Sequence, residues 1–296
     1  MTAVADRETL ATPTPQRGPA ARRRRRLRRI PLYACAVVVG CVALFPIYWL
    51  VISSLKTPEE LGRIPTTWWP HSITFEAYRT VFELVPFAQS FLNSVLITAI
   101  CSVSVLVTST MAGYVFAKYR FRGRDALFWL LIGTMFLPPI VTIVPLYNMM
   151  SALGLTDSYV GLVLPWLANA FGIFLMRQFI ADIPDELLDA ARLDGASEFR
   201  VLFQIVVPLL KPAVITLLVF TVAYYWNNFL WPLTILHSQD KFPITITLAQ
   251  LLSYNTAVQY QGVVMAGVLI ASAPTLLVFL AAQRVFVQGI ARSGVK

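Results

Sequence analysis

The chain has 296 residues, 57% hydrophobic and only 13% charged, where an ordinary soluble domain carries roughly 45–50% and 25%. With a mean hydropathy of +0.67, this apolar surface exceeds what one water-soluble core of that length can bury, so lipid is the expected solvent for much of the chain. A net charge of +9 would suggest nucleic acid as a partner only if the basic residues formed one binding face.

About the first 20 residues, rich in Thr, Pro and Ala, read as disordered. Arg22 to Arg26 with Arg28 and Arg29 complete a basic tail over residues 1–30. This cluster abuts the first apolar run, so membrane lipids with anionic headgroups are its nearest partner and no nucleic acid is expected.

Six apolar runs then approach or exceed the roughly 20 helical residues that cross a bilayer: Pro31 to Leu55, Ser90 to Ala117, Ala126 to Met150, Tyr159 to Met176, Ala213 to Leu236 and Gly262 to Gln283. Val38-Val39-Gly40-Cys41 is similar to a lipoprotein cleavage site. The apolar run continues through Phe45, Trp49 and Val51, however, which favours an uncleaved span. The expected fold is an all-α membrane protein of six transmembrane helices, with one membrane domain over residues 31–285 and a short tail at 286–296. Of the 24 Lys and Arg residues, 20 fall in the N-terminal tail, the second and fourth loops and the C-terminal tail. Only Lys56, Arg63, Arg79 and Lys241 fall in the other loops. Positive residues accumulate on the cytoplasmic side, so a multi-pass plasma-membrane protein with both termini cytoplasmic is expected.

Cys35, Cys41 and Cys101 lie inside apolar runs without the spacing of a zinc site or redox pair, and read as lipid-facing or packed thiols. The central stretches of the six runs contain no Asp, Glu, Lys, Arg or His, whereas an ion-coupled carrier needs such groups in the membrane. His71 and His237 lie in or at the edge of outward loops. No phosphate-cradling G-x-x-x-x-G-K-[ST] loop is present, so the chain is not expected to be an enzyme and any uphill transport must draw energy from another protein. Pro46, Pro138, Pro139, Pro145, Pro165, Pro232 and Pro274 interrupt five of the six runs, and a kinked helix is tolerated in lipid only where neighbours or a wet cavity satisfy the freed backbone. Gly262 with Ala266, and Gly267 with Ala271, would let the last helix pack closely on a neighbour.

The loop at about 182–208 is the most informative segment. Asp182 can cap a helix, Pro184 suits a first turn, and Asp185 and Glu186 complement the helix dipole. Leu187, Leu188, Ala191 and Leu193 give that helix an apolar side, Gly195 ends it, and Ser197 can cap a second helix from about Glu198 to Val207. A DNA-binding helix-turn-helix is the rival reading. Asp182 to Gln204 carries six acids against two bases, and such a charge repels phosphate, so a protein partner is expected.

Asp189-Ala190-Ala191, three residues, Gly195, nine residues, then Ile205-Val206-Val207-Pro208 resembles the EAA loop of permease subunits in bacterial binding-protein-dependent ABC importers. Asp189 stands where the family usually has Glu, and Val207 where it has Leu. The likeness extends from about residue 31 and is closest to the carbohydrate-uptake branch, in particular the second permease subunit of maltose-type systems. Ile73 to Tyr78 is similar to a stretch after the family's first span. Trp226-Asn227-Asn228-Phe229-Leu230-Trp231-Pro232-Leu233 is similar to its fifth-span W-N-[DE]-F-L-W-P-L, with Asn228 replacing an acid. Phe286 to Ile290, with Gly294-Val295-Lys296, looks like a tail directed toward the ATPases.

The resemblance implies a type I importer permease that moves a di- or oligosaccharide, with a glycerol-phosphate importer as the nearest alternative. The cytoplasmic loop would be a coupling helix in a cleft of the ATPase, through Asp189, Ala190, Ala191, Asp194, Gly195, Ile205 and Pro208. Implied partners are a homologous second permease subunit in a heterodimer, two ATP-binding subunits and an extracytoplasmic solute-binding protein. ATP and Mg would be bound by the ATPase subunits, and no cofactor or metal by this chain. Sugar rings stack on aromatics and bond to amides, which makes Tyr147, Asn148, Asn169, Trp226, Asn227, Asn228 and Trp231 candidates for lining the substrate path.

Overall fold

The computed structural model describes residues 19–293, with side chains described for residues 31–283 apart from Thr256. The remaining parts of the N-terminal tail and the side chains of Phe286 to Ile290 lie outside those residues. The chain divides into two units, Met1–Trp49 and Leu50–Lys296. The first helix, α1 (Pro19–Ser54), begins inside the expected tail, so the backbone from residue 19 onward is helical. Leu32, Val37, Val42 and Leu44 on it are exposed, as on a helix solvated by hydrocarbon. Cys35 and Cys41 are exposed too, whereas Cys101 is buried.

The second unit takes in the last residues of α1 and then two short helices, α2 (Pro58–Leu61) and α3 (Glu76–Leu84). They are followed by α4 (Phe87–Lys118), which has no proline in its 32 residues and runs about 48 Å at 1.5 Å per residue. Next come α5 (Arg124–Thr134) and α6 (Pro139–Ala152). Pro138 and Pro139 bar α conformation for the residue before each and remove two amide donors. The expected third span is therefore two helices bent by 101° rather than one.

The fourth run is likewise broken. It comprises α7 (Tyr159–Val163) with a 3-10 turn at Leu164–Trp166, then α8 (Ala170–Ala181), with a bend of 40°. Helix α8 continues five residues beyond the expected end at Met176. The loop segment forms α9 (Asp185–Leu193) and α10 (Glu198–Leu209), the latter with a π-helical stretch at Val201–Val206. Pro212 in the first turn of α11 (Lys211–Trp226) accompanies an 83° bend from α10. The fifth run does not reach Leu236 unbroken, because Asn227, Asn228 and Phe229 separate α11 from α12 (Leu230–Ile235). Last are α13 (Ile244–Leu252) and α14 (Val258–Ser293).

Three helices are long and apolar enough to cross a membrane, or up to six spans if each bent pair counts as one. No strand occurs among the described residues. The prolines divide into two kinds. Pro46, Pro145 and Pro274 sit inside continuous helices, contrary to the expectation that each interrupts its span. Pro138 and Pro139 coincide with a true break.

Two apolar clusters hold the second unit. One joins α4, α8, α10 and α11 through Val105, Met176, Ile180, Val201, Val206 and Leu217. The other joins α3, α13 and α14 through Val81, Leu251, Val263 and Ala266. Small residues set the close approaches. A Cβ at Gly267 would collide with Leu251, and one at Gly262 would lie 3.2 Å from Leu61. Ala266 and Ala271 are buried, so the small-residue pairs of the last helix do face neighbours. Gly113 on α4 meets the backbone of α8, where a Cβ would lie 2.9 Å from both Met176 Cβ and Arg177 N.

Overpacking of that kind costs about 1–3 kcal/mol. Gly113→Ala is therefore expected to lower the thermal midpoint of the detergent-solubilised protein. Gly133→Ala, where a Cβ meets nothing within 4 Å, should leave it in place; equal midpoints for the two variants would contradict the packing.

Candidate functional site

The EAA-like loop is built around one arginine. Helix α9 ends in a Schellman turn: Ala196 N donates to Ala191 O at 3.0 Å and Gly195 N to Arg192 O at 3.0 Å, with Gly195 at φ +83°. A Cβ at Gly195 would meet nothing within 4 Å, so glycine is needed here for the turn and not for internal packing. Ser197 Oγ then accepts from Arg200 N at the start of α10. Asp182, expected to cap α9, instead ends α8; Pro184 occupies the position before α9 and no side chain caps that helix.

The reversed chain brings Arg192 against Glu198. Arg192 Nε donates to Glu198 Oε1 at 2.9 Å and Nη1 to Asp189 Oδ1 at 2.8 Å, while Nη2 reaches the hydroxyl of Tyr114 on α4 at 3.2 Å. Tyr114 in turn donates to Glu198 Oε2 at 2.9 Å. Arg192 above all, with Tyr119 and Tyr114, holds the Glu198 carboxyl down to about 2. A second tie lies one turn along α4, where Lys118 Nζ donates to Asp185 Oδ1 at 2.7 Å and to Ile183 O. That hydrogen bond and the charge of Lys118 lower the Asp185 carboxyl. The Lys118 side chain is only 6% exposed.

The apolar side expected for α9 is split. Leu188 is buried and Ala191 half-buried against the core, but Leu187 is exposed and Leu193 is 89% exposed. Phe199 is exposed beside Leu193's end of the loop and stacks on Phe203, with ring centroids 6.5 Å apart. Ala190, Asp194 and Gly195 are exposed on this tip, Ile205 is half-buried and Pro208 lies exposed toward the bend. The segment's acidity is also partly neutralised internally, because Asp185, Asp189 and Glu198 each have a cationic partner.

The candidates for the substrate path separate into groups. Asn227, Asn228 and Trp231 come together in a groove of about 450 Å³ shared with Trp166, Tyr224 and the proline-broken start of α6, within the size range of small-molecule pockets. Trp226 is buried and donates through Nε1 to Ala271 O at 2.8 Å. Trp231 donates to Leu162 O at 3.0 Å. Asn169 Oδ1 caps α8 by accepting from Gly172 N at 3.0 Å. Tyr147 is half-buried against the core and Asn148 is exposed; neither borders the groove.

Away from that groove, two polar joints carry no motif that sequence reasoning used. Asp157, at φ +50°, accepts from His237 N, Ser238 N and Lys241 Nζ at 2.9, 3.0 and 3.0 Å, and from the Ser238 hydroxyl. The Ser238 bond leads the contacts that hold its carboxyl well below the usual range. Lys56 and Glu60, near the first loop, are both buried. Burial alone would raise the Glu60 carboxyl, but bonds from Thr67 Oγ1 (2.7 Å) and His71 N (3.1 Å) hold it below its ordinary value. A positive φ at a short acidic residue just after Gly154 is the one signal for the Asp157 joint, and it is a backbone property.

These features define a multi-pass helical membrane protein with an ordered, partly apolar loop held at the end of its longest unbroken internal helix. Residues 109–292 match the family described as binding-protein-dependent transport system inner membrane component, and the chain belongs to it. It is 35% identical over 272 residues to the arabinooligosaccharides transport system permease protein AraQ of Bacillus subtilis, covering 90% of this chain and 96% of the relative. Identity to the lactose transport system permease protein LacG of Rhizobium radiobacter is 35% over 267 residues, with 90% and 96% covered. To the sn-glycerol-3-phosphate transport system permease protein UgpE of Pectobacterium atrosepticum it is 34% over 264 residues, with 87% and 94% covered. The fold matches a chain in the crystal structure of a bacterial ABC transporter involved in the import of the acidic polysaccharide alginate. The TM-score is 0.79 at 25% identity, covering 92% of this chain and 99% of that one.

A carboxyl lowered by folding contributes stability that is full above its unfolded value near 4.5 and is lost as pH falls toward the folded value. The difference in thermal midpoint between wild type and Glu198→Gln in detergent should therefore stay constant from about pH 8 to 5 and shrink below about 4.5. No difference at neutral pH would show that the Arg192 pair is not formed.

Proposed function

We propose that this chain is one transmembrane half of an ATP-driven importer for an uncharged di- or oligosaccharide. The observation that carries the proposal is the EAA-like loop, whose exposed tip of Leu193, Gly195 and Phe199 presents apolar surface beyond a helix that the chain itself holds rigidly. Asp189, Ala190, Ala191, Asp194, Gly195, Ile205 and Pro208 form or support the surface that docks in a cleft of an ATP-binding subunit. Two such subunits bind ATP and Mg, a homologous permease supplies the other half of the pathway, and an extracytoplasmic binding protein delivers solute. The chain crosses the membrane six times, with the bent helix pairs counted as single spans. Both termini are cytoplasmic in this reading, which the distribution of Lys and Arg supports.

The sugar assignment rests on the groove beside the helix break. Asn227 and Asn228 offer amide donors and acceptors, and Trp166, Tyr224 and Trp231 offer ring surface. That combination suits a polyhydroxylated ring with apolar faces. A glycerol-phosphate substrate is the second reading, favoured by the UgpE relatives. It calls for cations, and no Lys or Arg lines the groove. Closure of the ATPase pair would displace the loop and rock the spans between inward- and outward-open states.

Gly195→Asp combines a strained left-handed aspartate with a new charge on the docking tip. It is expected to abolish uptake in the reconstituted complex while the subunit still inserts. Gly195→Ala, carrying the backbone strain of about 1–2 kcal/mol alone, should retain uptake. Undiminished uptake by the aspartate variant at normal expression would refute the role of the loop. For the substrate, oligosaccharides and not glycerol 3-phosphate should raise the melting temperature of the copurified binding protein.

A further inference from the structure

We infer that α4 is the connecting rod of this permease, with Tyr114 and Lys118 as positioning residues at one end and Asn93 at the other. The inference rests on reading the 182–208 loop as the ATPase dock and adds the path by which its displacement leaves the loop. At the loop end, Lys118 holds Asp185 in the first turn of α9, and Tyr114 holds the Arg192–Glu198 pair where α9 turns into α10. The docking helix is thus gripped at both ends by charge-assisted bonds. Tilting it against α4 would take Asp185 away from the buried Lys118 ammonium and part the Tyr114 hydroxyl from the Arg192–Glu198 pair, and the first of these losses is penalised in a low-dielectric setting.

The opposite end of α4 is gripped as firmly. Asn93 Nδ2 donates to Asp240 O at 2.8 Å and Phe242 O at 3.1 Å, and its Oδ1 accepts from Tyr159 at 2.9 Å. Ser94 Oγ accepts from Ile244 N at 2.7 Å, and Ser90 bonds Thr247 at 2.6 Å. All of these side chains on α4 are buried. Asp157 extends the joint by tying the 237–241 stretch to the segment before α7. The two loops and the top of α4 therefore move as one body.

Between Asn93 and Lys118 lie 25 helical steps, about 37 Å, without proline or break. The bent routes yield at Thr134–Pro139, at Leu167–Asn169 and at Leu210. Displacement travels through the path that does not bend, so motion of the dock reaches residues 237–247 at the opposite end of α4.

The test uses the whole complex in proteoliposomes and reads ATP hydrolysed per solute imported. Tyr114→Phe and Asn93→Leu should each raise that ratio by about fivefold or more, with binding-protein-stimulated hydrolysis retained. The double variant should be no worse than the poorer single one, because both cut the same rod. Ratios that multiply in the double variant, or a Tyr114→Phe ratio equal to wild type, would overturn the inference. If Asn93→Leu fails to assemble, Tyr159→Phe removes one bond of the same joint and takes its place in the cycle. Undiminished uptake by Gly195→Asp would instead strike the docking reading itself, so the two failures are distinguishable.

Discussion

The constraint on which the rest depends is that lipid offers no hydrogen bonds, so every helix break in this chain must be satisfied by the protein itself. At the α5–α6 break the amides of Met135, Phe136 and Leu137 turn back to carbonyls three residues earlier, at 3.0 to 3.2 Å. At the α7–α8 break, Trp166 O accepts from Tyr225 and Leu167 O from Thr108, while Asn169 caps the start of α8. Beyond α11, Asn228 O accepts from Thr245. The indoles of Trp226 and Trp231 obey one rule. Each donates to a carbonyl three residues before a proline, Ala271 before Pro274 and Leu162 before Pro165, in the turn a proline leaves short of amide donors.

Satisfying breaks through neighbouring helices has a mechanical consequence. A broken helix bends where its ladder is missing, and the partners of each break fix which elements bend together. Helix α4 receives the side chains and backbones of the others while keeping its own ladder intact, as Thr108 to Leu167 and Ser94 to Ile244 illustrate. Gly113 brings the backbone of α8 against it, and Gly172 on α8 makes room for Ser109 and Val105. Among the helices between the first and the last, the long unbroken α4 is thus the frame, and the proline- and asparagine-broken ones are the parts with freedom to move.

Much of this architecture is legible in the sequence. The apolar runs, the helix–turn–helix at 182–208, the glycine at its corner and the small-residue face of α14 all come from local periodicity and turn chemistry. The bends are not legible, because a proline inside a helix and a proline at a break look alike locally. Pro145 and Pro274 sit in continuous helices, while Pro138–Pro139 lies at a 101° bend. The two outcomes differ in tertiary setting, which no local pattern carries. The same reason hides the role of Trp226, which looks like a sugar platform in a motif and is an indole donor in the structure. Tyr114 and Asp157 escape a reading of the sequence because each acts on residues more than 75 positions away, outside any local pattern.

The charge that first suggests nucleic acid ends with two separate physical roles. The basic excess collects in the N-terminal tail, the second and fourth loops and the C-terminal tail, a pattern that membrane insertion favours for one side of the bilayer. The loop acids look like docking charge in the sequence, yet three of them are spent within the chain on Arg192 and Lys118. Facing outward instead are exposed apolar side chains at Leu193 and Phe199, with Asp194 next in the chain to Leu193 and Glu186 exposed in the first turn of α9. An interface built that way draws its affinity from desolvated apolar contact and leaves rim charges to set orientation. On the proposed docking role the polar ties then serve a different end, because Lys118 and Tyr114 fix the loop with respect to α4. A dock that flexed at its own base would absorb the displacement of a bound partner before any of it reached the membrane.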